Sequence, residues 1–192
     1  MKKLIVLSVL VFSFNFVSHS FSQSLQKEES FINKFSINAL FGKSYPVGSF
    51  SKDQKSANIS GGAEVGYKLF KSTYLIGNFY YHKFNLNLPF LAQPPDVYFD
   101  EAIQITLGVK QLFPVAENLS LYGSTQVGYY SFRTIGYFEK GPHTDNFGIN
   151  AGGGAVFVID KRLSLRAGAV FHNVFGLDAN FITLDGGFKI NL

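Results

Sequence analysis

Apolar and polar side chains alternate with a period of two along most of the chain beyond residue 34. That period marks a strand whose two faces meet different surroundings. In FSINALF, Phe35, Ile37, Ala39 and Phe41 share one face. In ISGGAEVGYKL, Ile59, Gly61, Ala63, Val65, Tyr67 and Leu69 oppose Ser60, Gly62, Glu64, Gly66 and Lys68. LIGNFYY aligns Leu75, Gly77, Phe79 and Tyr81. IQITLGVKQLF sets Ile103, Ile105, Leu107, Val109 and Phe113 against Gln104, Thr106, Gly108 and Lys110. LSLYGSTQVGY sets Leu119, Leu121, Val127 and Tyr129 against Ser120, Tyr122, Ser124 and Gln126. NFGINAGGGAVFVID, LSLRAGAVF and ITLDGGFKINL continue the series, with Asn150, Gly152, Gly154, Ser164, Arg166, Thr183, Asp185 and Lys189 on the polar side. The pattern predicts about eight strands, several of about 9–11 residues, the length a tilted strand needs to cross a bilayer.

The links alternate in length. Short turns are predicted near Phe70–Ser72, Pro114–Asn118 and Ile159–Arg162. Longer links are predicted near Gly42–Asn58, Phe84–Glu101, Phe132–Asn146 and Val174–Asn180. This alternation describes an up-and-down antiparallel meander with both strand termini on the short-turn side.

Gly152 to Gly154 do not form a phosphate loop. Ala155 and Val156 stand where Lys and Ser/Thr would be needed, and a strand follows instead of a helix. Mid-strand glycines give room and curvature in a small closed sheet.

Composition narrows the surroundings. Charged residues are 16% of the chain and aromatic residues 17%, with 22 Phe, 10 Tyr and no Trp. Soluble domains carry about 25% charge. No segment after the first 22 residues approaches 18 uninterrupted apolar residues, so a crossing would need a closed barrel. The start, MKKLIVLSVLVFSFNFVSHSFSQS, has Lys2 and Lys3, an apolar run, and Ser18, Ser20 and Ser22. It reads as a signal peptide over residues 1–22, cleaved near Ser22/Gln23. Without Lys2 and Lys3, 15 basic residues face 13 acidic ones, which is no nucleic-acid footprint. There are no cysteines, hence no disulfides, thiol chemistry or lipid-anchor cysteine.

Parity alone leaves open which face points outward. The polar face carries mostly Gly, Ser, Thr, Asn and Gln, with few charges of both signs, which suits a narrow tube filled by its own side chains. Aromatic residues of the apolar face gather at strand ends. Phe41, Phe79, Tyr81, Tyr129, Phe147 and Phe171 would form one band, and Phe35, Tyr67, Phe113, Phe157 and Phe188 the other. Two such bands around an aliphatic belt match membrane interfaces. The expected fold is therefore an all-β transmembrane antiparallel β-barrel.

The signal peptide, the strand pattern and the ending DGGFKINL resemble small outer-membrane β-barrels of the OmpA/OmpX type, over roughly Phe35 to Leu192. The resemblance implies a periplasmic segment at 23–34, a barrel domain at 35–192 and residence in outer-membrane lipid of a Gram-negative-type cell. It also implies insertion by the barrel-assembly machinery through a signal formed by Asp185, Gly187, Ile190 and Leu192. The family usually ends in an aromatic residue; Leu192 stands there here.

Glu64, Lys68, Lys110, Arg166, Asp185 and Lys189 are expected to line the lumen as ion pairs that plug it, because buried charges must be paired. Arg166 and Asp185 lie on neighbouring strands, and Lys110 could reach Glu64 across the tube. His82 and His172 fall on the polar face near the outer strand ends, where loops or water would satisfy them. They are expected on opposite walls, too far apart to share a metal. His143 is expected in a loop. The loop NLNLPFLAQPPDVYFD is apolar enough to contact a surface ligand or protein, or to pack on the barrel mouth. No cofactor, metal site or enzymatic activity is expected. The main functional expectation is a membrane scaffold acting through its outer loops. The alternatives are a lipid-modifying enzyme using His172 and a soluble secreted barrel with its apolar face turned inward on a ligand.

Overall fold

The computed structural model describes residues 34–48, 56–85, 98–135, 140–177 and 179–192. Eight strands occupy them: β1 (Phe35–Val47), β2 (Ser56–Lys68), β3 (Thr73–Asn85), β4 (Tyr98–Ala116), β5 (Leu119–Ile135), β6 (Lys140–Val158), β7 (Leu163–Val174) and β8 (Ala179–Asn191). Each pairs antiparallel with its neighbours in sequence, and β8 pairs with β1 to close the barrel. Leu192 N–H donates to the Phe35 carbonyl at 3.0 Å, so the seam is bonded to its end.

The stagger of the barrel follows from its pairing. Starting at Ile37, the aligned residues are Val65, Gly77, Leu107, Val127, Ile149, Asn173 and Asn180, and the path returns to β1 at Val47, ten residues further on. With a rise of about 3.3 Å per residue and a strand spacing of about 4.7 Å, this stagger fixes a tilt of about 40° and a radius of about 8 Å.

Parity assigns the faces as the alternation predicts. The apolar set points outward: Ile59 is 71% exposed, Phe147 70%, Phe41 61% and Val127 61%. The polar set is buried inside. The apolar-inward, ligand-filled soluble barrel is therefore ruled out by the orientation of these side chains.

The long links are shorter than expected. Strands β4, β5 and β6 have 19, 17 and 19 residues, against 12 or 13 in the others. His143 pairs with Arg133 inside the β5–β6 hairpin and is not in a loop. Pro114 to Ala116 likewise extend β4 into the predicted turn. The apolar loop segment between Asn85 and Tyr98 lies outside the described residues.

The short turns are built locally. Asp160 Oδ1 accepts the backbone N–H groups of Arg162 at 2.6 Å and Leu163 at 2.8 Å, an Asx-type closure of the β6–β7 turn. These bonds hold its carboxyl below the usual carboxylate range. A lowered folded value makes a stabilising contribution that is present above the unfolded value of about 3.9 and is lost as pH falls through the folded one. Asp160→Ala is thus expected to lower the unfolding midpoint slightly at neutral pH. Circular dichroism in detergent should show the gap from wild type narrowing below about pH 4. A gap that stays constant through that range would argue against this role.

Candidate functional site

The inward side chains are stacked in three layers. The first, toward the short turns, is ionic. Glu64 on β2 sits at its centre. Lys110 on β4 donates to Glu64 Oε1 from across the tube, and Asn38 Nδ2 donates to the same oxygen at 2.7 Å. Arg166 Nη1 reaches Glu64 Oε2 at 2.9 Å, and its Nη2 lies 3.5 Å from Asp185 Oδ2. Arg166 Nε also donates to the Tyr122 hydroxyl at 2.9 Å, with the guanidinium 4.9 Å from that ring's centroid. Tyr80 donates to Asp185 Oδ2 at 3.1 Å. Four of the six expected lumen charges thus meet in one cluster. Lys189 and Lys68 lie on the short-turn side of it, with Lys189 Nζ 4.6 Å from the centroid of the Tyr74 ring.

The second layer is neutral and was not legible as a unit. Ser44 Oγ lies 2.7 Å from Ser60 Oγ, 2.7 Å from His82 Nδ1 and 2.8 Å from Thr183 Oγ1. His82 Nε2 lies 3.1 Å from Gln104 Oε1, so this nitrogen carries the proton and Ser44 donates to Nδ1. His172 Nε2 meets Thr183 at 3.1 Å, and its Nδ1 meets the Tyr130 hydroxyl at 3.2 Å. The histidines are thus not at a rim satisfied by loops or water; His82 is 0% exposed and His172 3%. They are not separated either, since their ring centroids are 5.6 Å apart. β3 and β7 are opposite walls, but at a radius of about 8 Å their side chains meet on the axis.

The third layer closes the long-link end. Phe84, Ala102, Tyr130, Phe132, Val174, Ala179 and Phe181 form a buried apolar cluster inside the tube. Phe181 stacks on His172 with centroids 4.2 Å apart and meets Phe84 edge-on at 5.7 Å. Parity held the signal for this layer: Tyr80, His82 and Phe84 share one face of β3, as Tyr130 and Phe132 share one of β5.

Beyond that cluster, β4, β5 and β6 stand above their neighbours. β7 ends at Val174, opposite Gly148, so β6 from Lys140 to Asn146 is paired along β5 alone. Outward side chains brace this part. Arg133 bridges Glu101 at 2.5 Å and donates from Nε to His143 Nε2 at 3.1 Å. Ser131 donates to Asp145 Oδ1 at 2.7 Å, and Tyr81 to Glu101 Oε2 at 2.5 Å.

Of the residues expected to form the assembly signal, Asp185 belongs to the ionic layer, and a Cβ at Gly187 would lie 2.0 Å from the Ala39 carbonyl oxygen. Ile190 and Leu192 face outward, 49% and 50% exposed.

An outward aliphatic belt between aromatic bands, wrapped around a polar interior, defines an outer-membrane type of β-barrel. No protein-family model matches the chain, and no curated protein matches it in sequence. Solved structures do match in fold. The chain is similar to Neisserial surface protein A, with a TM-score of 0.67 at 12% identity, over 83% of this chain and 97% of that one. It is similar to the N-terminal β-barrel domain of Pseudomonas aeruginosa OprF, with a TM-score of 0.55 at 14% identity, over 82% and 98%. It is also similar to Ail, the attachment invasion locus protein of Yersinia pestis, with a TM-score of 0.53 at 17% identity, over 81% and 97%. Ail has also been solved in complex with the heparin analogue sucrose octasulfate.

Proposed function

We propose that this protein is an integral outer-membrane barrel with a closed lumen, which acts through the surface it presents at its long-link end. The observation that carries this reading is the layered filling of the tube. Glu64, Arg166, His82, Tyr130, Phe132 and Phe181 are each at most 5% exposed, so the axis is occupied from the ionic layer to the apolar cluster. Eight-stranded barrels are just wide enough for such filling. About ten strand residues at a tilt of about 40° rise about 25 Å, the height of the apolar band of outer-membrane barrels.

The braced β4–β6 projection is the part of the fold best suited to a protein or glycan ligand, since it stands clear of the aromatic belt on a rigid base. A sulfated sugar of the kind bound to Ail is a poor fit. In the sequence, the long links and the residues flanking them include Lys43, Lys52, Lys55, Lys83, Arg133 and Lys140 against Asp53, Asp96, Asp100, Glu101, Glu139, Asp145 and Asp178, a near balance. Lipid modification at His172 has little to support it. Ser44–His82–Gln104 has the order of a hydroxyl, a base and an orienting group, but Ser44 and His82 are both 0% exposed, which leaves a substrate no approach.

Planar-bilayer recordings with purified protein are expected to show no steady conductance above background. A large, steady conductance would overturn the closed lumen.

A further inference from the structure

We propose that the outer wall over β6, β7 and β8 holds one anionic phospholipid, with an acyl chain in a hollow of that wall and the phosphate at Lys161 and Arg162. The inference rests on the reading of the barrel as embedded in lipid, and is independent of whether the lumen is closed. The hollow measures about 400 Å³. Ala155, Ala167 and Gly186 form its floor, aligned across the three strands, and Phe41, Phe157 and Phe188 rise around it. At about 30 Å³ per methylene, close to the volume of one water molecule, it takes about a dozen carbons of a chain.

The barrel itself does not require so small a floor. Inward glycines such as Gly154 and Gly168 have no room for a Cβ. At Gly186 a Cβ would meet only the Arg166 carbonyl oxygen, at 3.4 Å. Two other outward glycines have bulk on both sides: Gly61 pairs with Phe41 and Tyr81, and Gly77 with Val65 and Leu107. Gly186 has Phe41 on one side but Ala167 and then Ala155 on the other. Lipid tails are as apolar as this wall, so burial alone holds nothing there. Dispersion contact does, and a concave surface touches each methylene on more sides than a convex one. A second copy fits less well, because two such walls would meet on their phenylalanine rims before the hollows were filled.

The head-group end follows from the turn beneath. Lys161 and Arg162 are exposed, three or four residues past Leu165 and Phe157, within about 13 Å. Asp160 attracts Arg162, although its Oδ1 is taken by two backbone N–H groups. Lys161 and Arg162 less Asp160 leave this turn one net positive charge. Glu117 lies one turn further round, beyond β5, where Asn118 accepts the Val158 N–H. Among the described residues no ion pair engages Lys161 or Arg162. A basic group at this level attracts the phosphate of a lipid whose chain lies in the hollow.

The test is native mass spectrometry of the folded protein after exchange into an equal mixture of phosphatidylglycerol and phosphatidylcholine with identical chains. The wild type is expected to retain one phosphatidylglycerol per chain, at about fivefold preference over phosphatidylcholine, the effect of one net charge near a lipid surface. Lys161→Gln/Arg162→Gln, in an exposed turn, should lose the preference. Ala167→Leu/Gly186→Leu should lose retention of both lipids, while Gly61→Leu/Gly77→Leu on the opposite wall keeps it. No retained lipid, an unchanged preference in the charge variant, equal retention when the hollow is filled, or a lipid-free dimer would overturn the proposal. Should the filled variant not fold, the charge variant still decides it. Failure of the wild type to enter vesicles, read by gel mobility before and after boiling, would overturn the membrane reading and this site with it. Entry without a retained lipid overturns the site alone.

Discussion

Glu64→Ala is expected to destabilise the barrel by about 3–5 kcal/mol, the typical cost of removing one partner from a buried ion cluster. The Glu64 carboxylate is 1% exposed as part of its residue and holds Lys110 and Arg166 together. Without it, the cations of β4 and β7 face each other inside a narrow tube. Only Asp185 would remain to offset them, and it already serves Arg166 and Tyr80. The cost arises from the stranded charge, not from lost packing, and a second variant separates the two. Glu64→Met with Lys110→Met removes a cation together with the carboxylate and leaves Arg166 bonded to Asp185 and Tyr122. Apolar replacement of a buried ion pair is often neutral or better, so the double variant should regain most of the loss. Urea titration of protein folded in vesicles, followed by the mobility difference between unboiled and boiled samples, would measure both. A single variant as stable as wild type, or a double variant as weak as the single, would sink this account.

That cluster was partly legible in the sequence, and its limits are instructive. Parity placed Glu64, Lys110, Arg166 and Asp185 on the inner face, because a period of two is a local property of a strand. The neighbouring-strand relation of Arg166 and Asp185 needed only strand order. What parity cannot provide is distance across the tube. That distance depends on the ten-residue stagger, which is a property of the whole closed sheet. His82 and His172 were misplaced for this reason. Their strands are opposite, but opposite walls in a tube this narrow are in contact. The apolar layer of Phe84, Tyr130, Phe132 and Phe181 was missed for a different reason. These residues occupy polar-face positions at strand ends, and there the inner face turns apolar to close the mouth. The loops were over-predicted because Lys140, Gly141, Pro142 and Asp145 read as loop residues. A hairpin that leaves the membrane can carry polar residues on both faces and still be a strand.

The glycine run answers to the same closed geometry, and it gives a second large expected effect. Gly154→Leu is expected to prevent recovery of the folded barrel, and even Gly154→Ala to cost about 1–3 kcal/mol through overpacking. A Cβ at Gly154 would lie 2.1 Å from the Ala167 carbonyl oxygen on β7 and 2.9 Å from Tyr122 Cε1. The first contact is with backbone, so it can be relieved only by moving the strand. Gly168, across the pair, is held small by the Tyr122 hydroxyl, 2.0 Å from where its Cβ would be. Tyr122 thus rests on Gly154 and Gly168, and the Arg166 bond to that hydroxyl ties the ionic layer to this close contact. Gly152 is limited instead by the Ala169 carbonyl oxygen and by Val170 on β7. The control is Gly123 on β5, where a Cβ would meet nothing within 4 Å. Gly123→Ala is expected to be neutral or to stabilise by about 0.5 kcal/mol, since glycine loses more chain freedom on folding than alanine. Measured side by side by urea titration, the two alanine variants should differ in sign or by more than about 1 kcal/mol. Equal stabilities would mean that the sheet relaxes around Gly154 and that the glycine run has no role in closing the tube.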